Sequence, residues 1–159
     1  MKKSKILKRI FSDDIIIIPA VDGSKTITNS EDVFKSWIDS SFEDWGLNKS
    51  DQKTPEIKIQ VYEMVKDANY SQMFHSLNND LDKLCLTQHQ ITVFCANNQK
   101  YLREGGWPTF FLFKVDGKYY VAYVLMYPDG LYVNVHRFKK SYAWYADLTR
   151  RLVVPQPEA

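Results

Sequence analysis

Three residues of metal-binding type, Cys85, His89 and Cys95, lie close together in the chain. Their spacing fits no tetrahedral zinc pattern. Cys95 also falls on the apolar face of a predicted helix, which reads as a buried thiol. Asp80 and Asp82 precede a helix and read as capping or solvated carboxylates. His75 and His89 read as surface residues. Phosphate-loop, dinucleotide, nucleophile-elbow and zinc-protease patterns are all missing. No metal or cofactor is expected, no catalytic residue is assigned, and the enzyme question stays open.

The stretch that could do chemistry is a hairpin. Residues 109–115 and 118–127 alternate as strands, and Asp116-Gly117 between them is a strong two-residue turn. A two-residue loop sets Val115 against Lys118, Phe113 against Tyr120 and Phe111 against Ala122. A third strand, 131–138, follows Pro128-Asp129-Gly130, taken as a three-residue loop. That loop sets Ala122 against His136 and Val124 against Asn134. Side chains alternate between the faces of a sheet. One face then holds Phe110, Leu112, Val121, Tyr123, Leu125, Val133 and Val135, and is core. The other holds Phe111, Phe113, Tyr120, Ala122, Val124, Met126, Tyr132, Asn134, His136 and Phe138.

A solvated face of an antiparallel sheet is mostly polar, and this second face is not. Three accounts are open: the chain's own helices cover it, a second copy covers it, or it is a platform for a ligand or nucleic acid. Aromatic side chains on a sheet can stack bases, although the RNA-recognition fold's strand motif is absent. The small Ala122 leaves a hollow walled by Phe111, Tyr120, Asn134 and His136. With Arg137 next along the strand, these five residues are the candidate binding site.

The elements that must position this hairpin are read from periodicity and caps. Residues 1–11 carry Ile6, Leu7, Ile10 and Phe11 between basic residues, as a basic arm or a short helix. "DDIIII" reads as a short buried strand. Asn29 or Ser30 caps a predicted helix with the stripe Val33, Phe34, Trp37 and Ile38. Thr54-Pro55 is a helix-opening pair, favouring a helix over 57–65; the alternation Ile57-Ile59-Val61 would instead make a strand. Residues 68–85 hold a short helix or turn. Thr87 and Gln90 form a capping box for the clearest helix, which Gly105-Gly106 ends. "RRLVVP", 150–155, supplies a last strand. The fold class expected is α+β, an N-terminal helical region packed on a C-terminal antiparallel β-meander, with residues 12–159 as one domain.

At 159 residues the chain is long enough for one domain with its own core. Net charge is +2, unevenly spread: +5 over residues 1–11, −6 over 12–104 and +3 over 105–159. Basic ends can meet an anionic partner such as nucleic acid; the other reading is a solvated tail and self-complementary halves. The partners expected are a second copy, another protein or nucleic acid, with no membrane span. Two cysteines make no disulfide framework and no signal sequence is evident, so the chain is expected in the cytoplasm.

The order of elements, a strand, helices and then a β-meander, resembles small bacterial toxins that cleave mRNA on the ribosome without a metal. The resemblance implies roles for His136, Arg137, Lys139, Tyr142, Arg150 and Arg151. The segments "DLDKLCLTQHQI", "TFFLFKV" and "RRLVVPQ" are also similar to a family of small uncharacterised bacterial proteins, which implies a compact fold and no particular activity. The leading functional expectation is a binding or assembly module that uses the aromatic sheet face. The alternative is a metal-independent ribonuclease.

Overall fold

The computed structural model describes residues 5–140, 143–146 and 150–157. Among them, eight strands form one mixed sheet: β1 (Leu7–Ile10), β2 (Ile16–Ile18), β3 (Trp37–Ile38), β4 (Ile57–Met64), β5 (Thr109–Val115), β6 (Lys118–Tyr127), β7 (Gly130–Arg137) and β8 (Arg151–Pro155). The order across the sheet is β1-β4-β8-β5-β6-β7-β3, and β2 also pairs with β4. Most pairs are antiparallel; β5–β8 and β3–β7 are parallel. Three helices, α1 (Ser41–Asp44), α2 (Tyr70–His75) and α3 (Gln88–Asn97), and two 3-10 turns complete the described fold.

This overturns the expected architecture. No N-terminal helical region packs on a separate meander; strands from both ends of the chain interleave in a single sheet. Residues 7–10 pair with Met64 to Val61 as an edge strand and are neither arm nor helix. Residues 57–64 are β4, so the alternation of Ile57, Ile59 and Val61 prevails over the Thr-Pro opening. Thr54 bridges to Val21 through both backbone groups, so the chain is already extended where it reaches Pro55. Three strands then pair along β4, and those ladder bonds outweigh a weak local preference. Residues 29–38 form turns rather than a helix. The buried Ser30 hydroxyl donates to the Thr26 carbonyl, and Trp37–Ile38 align beside β7.

Both faces of the central strands are covered by the chain itself. Phe111, Phe113, Tyr120, Ala122, Val124, Val133 and Val135 pack under α3 and the segment from Ile27 to Leu47. Phe110, Leu112, Val121, Leu152 and Val154 pack under α2 and Leu81 to Leu84. Four consecutive residues of β5, Phe110 to Phe113, are therefore all buried. The α3 cover is fixed by a capping box at Thr87 and Gln90, as the sequence predicts. The buried Gln88 amide accepts from Ile27 N–H at 3.0 Å and donates to the Leu47 carbonyl at 2.6 Å.

Candidate functional site

The Asp116-Gly117 turn forms as predicted. Both residues have positive φ, 51° and 78°, and β5 and β6 pair in the expected register. The next turn is tighter than the three-residue loop assumed from the sequence. Tyr127 pairs with Gly130, leaving only Pro128 and Asp129 in the loop. Ala122 now faces Val135, and His136 faces Val121. A one-residue slip moves every side chain of a strand to the other face.

The five candidate residues are therefore divided. Phe111 and Tyr120 are buried on one face, Phe111 edge-on to Phe94 of α3 and Tyr120 beside Phe113 and Trp45. Arg137 shares that face, and its guanidinium lies 3.9 Å from the Trp45 ring centre. Asn134 and His136 are on the opposite face. The hollow beside Ala122 is filled, and Ala122 has no exposed surface. Its lining was drawn from a register the molecule does not adopt.

The slip creates a different surface. On the opposite face, the cover of α2 and Leu81–Leu84 does not reach the end of the sheet made by β6, β7 and β3. Leu125, Tyr132 and Asn134 are half-buried there, and Trp37 and Tyr127 are exposed, Trp37 by 50%. Trp37 pairs with Tyr132 and donates its indole N–H to Asn134 Oδ1 at 3.3 Å. Tyr127 stands edge-on to Tyr132, 5.1 Å between centres, and the Tyr132 hydroxyl donates to Asp129. The result is an aromatic row carrying no charged side chain of its own. Trp37 and its two-residue strand carried no signal in the sequence beyond a helical stripe, so the row was missed.

Charge around the row is largely acidic on one side. A cleft of about 460 Å³ beside Trp37 is lined by Glu31, Asp39 and Glu43, with Lys35 as its cation. Asp39 also closes the sheet edge: one carboxylate oxygen accepts from Val135 N–H and the other from Ser41 N–H. The basic residues Lys8 and Arg9 sit on β1, five strand steps from β7, about 24 Å at the usual strand spacing.

His136 anchors a second cluster on the same face. Its Nδ1 shares a 2.8 Å hydrogen bond with the Tyr70 hydroxyl, and Tyr123 lies 4.6 Å from its ring. Burial, and then the nearby Lys140 charge, push its pKa down to about 4, against a smaller upward pull from Asp39. Trp144 stands 6.0 Å from His136 and 4.9 Å from the guanidinium of the buried Arg150. His136 and Arg150 thus converge on one ring. Arg151 does not join them: it pairs with Glu63 and donates to the Tyr101 and Leu102 carbonyls. Lys139 is exposed, and Tyr142 lies outside the described residues.

Among the described residues, no cluster of His, Cys, Asp and Glu can hold a metal ion, and no helix is long and apolar enough to cross a membrane. Comparison with protein-family models, curated proteins and solved structures gives no match.

Proposed function

We propose that the chain is a non-enzymatic protein-binding or assembly module whose contact surface is the aromatic row Trp37, Tyr132, Tyr127, Leu125 and Asn134. The observation that carries the reading is the half-exposed Trp37 indole, tied to Asn134 at an end of this face that α2 and Leu81–Leu84 do not cover. Trp and Tyr are among the residues that dominate protein contacts. The acidic cleft beside Trp37 opposes phosphate, and the basic strand β1 is too distant to supply counter-charge to the same stretch of nucleic acid. A protein partner is therefore favoured over nucleic acid. A second copy of the chain is the first partner to test, because two-fold pairing lays a patch on itself and an uncharged row meets no like charge. A cytoplasmic setting agrees with two free thiols, one of them buried.

Dilution from millimolar to micromolar concentration, followed by the indole N–H signal of Trp37, tests this reading. The signal is expected to shift with concentration in the wild-type chain and to lead the residues that move. A concentration-independent Trp37 signal with no protein partner sinks the self-assembly form of it.

One observation favours a second reading, a metal-independent ribonuclease. His136 and Arg150 converge on Trp144, setting an imidazole and a guanidinium at one ring; with its pKa pushed down to about 4 the imidazole is neutral near pH 7 but a weak base. Cleavage of single-stranded RNA in chelator by the wild type, lost in His136→Ala, is the outcome that reading requires.

A further inference from the structure

At the other end of the same face lies a second groove. Its floor is β4 and β8, with Lys58, Gln60, Tyr62 and Val154, and its wall is the connection after α2, with Lys83 and Leu84. It encloses about 580 Å³, within the range of small-molecule sites.

Its polar groups are arranged for a ligand rather than for each other. Gln60 is 9% exposed, and its Oε1 accepts from the Tyr62 hydroxyl at 2.7 Å. That bond uses the amide oxygen of this groove-lining residue, and its amide nitrogen donates to no described group. The nitrogen is open to solvent and can donate to an acceptor placed in the groove. Lys58 and Lys83 flank it, neither paired with a carboxylate among the described residues, and none of the described lining residues is acidic. Asp82, next to Lys83, is turned to Lys114 and Tyr119 instead. Arg9 stands across the strand pair from Tyr62 and adds a third positive charge. Leu84 and Val154 give the groove an apolar lining beside these cations.

We propose that this groove binds a small amphiphilic anion, its carboxylate or phosphate head between Lys58 and Lys83 and on the Gln60 amide, its apolar body along Leu84 and Val154. This site is separate from the aromatic row and does not depend on it.

The test is titration of the isotope-labelled full chain with decanoate, with decyl phosphate and with uncharged decanol, read at the Gln60 side-chain amide and the Val154 backbone signal. Saturable shifts with an anion, and decanol weaker by at least about tenfold, are expected. A preference for decanoate assigns a carboxylate head, and a preference for decyl phosphate a phosphate head. The double variant Lys58→Glu/Lys83→Glu changes two exposed side chains, keeps the folded spectrum and weakens the anion by about tenfold or more. No saturable shift with either anion, decanol binding as tightly, or unchanged anion binding in the double variant overturns the proposal.

Discussion

Replacing Gln88 by alanine removes one side chain and strands two backbone groups. The Gln88 amide accepts from Ile27 N–H and donates to the Leu47 carbonyl, and Ile27 and Leu47 are both fully enclosed, 0% and 1% exposed. No water can replace the amide at either group without opening the layer over α3. A buried backbone group left without a partner costs about 1–3 kcal/mol, so the pair is worth on the order of 2–6 kcal/mol. That is a large share of the about 5–15 kcal/mol that holds a domain folded. Urea unfolding followed by tryptophan fluorescence reads this directly, as a lower midpoint at unchanged slope. The variant Gln88→Glu sharpens the test. Its carboxylate can accept from Ile27 but cannot donate to Leu47, so near pH 7 it is at least as damaging as alanine. The buried carboxyl takes up a proton more readily folded than unfolded, so acidification relieves the loss. An alanine variant that loses less than about 1 kcal/mol, or a Glu variant insensitive to pH, would refute the claim that Gln88 fastens the segment from Ile27 to Leu47.

Other outcomes follow from the same structure. The His136 imidazole titrates near 4 in the folded chain against 6.5 when free. Between these values the unfolded chain binds a proton the folded chain does not, so stability is full above about pH 6.5 and falls as pH drops toward 4. Allowing for solvent around the half-buried ring, the loss is about 1–2 kcal/mol, and His136→Gln should flatten urea midpoints over that window; a variant that keeps the wild-type slope contradicts this. Two glycines at positive φ should differ sharply. Gly117→Ala meets nothing within 4 Å and should cost only about 1 kcal/mol. Gly23→Ala would drive its Cβ into the backbone carbonyl oxygens of Asp51 and Gln52 and should cost at least about 3 kcal/mol; equal midpoints for the two would contradict the packing at Gly23.

Local signals were legible where one residue pair decides the geometry. Asp116-Gly117 needs two positive φ angles and fixes the β5–β6 register, and Thr87 with Gln90 fixes the start of α3. The β6–β7 register was not legible for a physical reason. β6 is apolar on both faces, Tyr120-Ala122-Val124 on one and Val121-Tyr123-Leu125 on the other, because the chain covers both. With two buried faces, alternation cannot choose between registers, so the loop length decides. The turn Pro128-Asp129 closes one residue shorter than its Gly130 suggested. The candidate hollow was lost with that residue, and the row around Trp37 appeared on the other side. Residues 57–64 and 7–10 were obscured differently. Their pairing depends on partners far away in sequence, β8 and one another; residues 57–64 carried the alternation Ile57-Ile59-Val61 beside a competing Thr-Pro helix opening, and no local pattern chose between the two.

The most direct test of the central claim is the mass of the purified chain by light scattering, at low and high salt, with absorbance at 260 and 280 nm and with Trp37→Ala alongside. Self-pairing through the aromatic row predicts a dimer free of nucleic acid at both salt concentrations, reduced to monomer by the substitution. A clean monomer, or a monomer carrying nucleic acid that high salt removes, would contradict it.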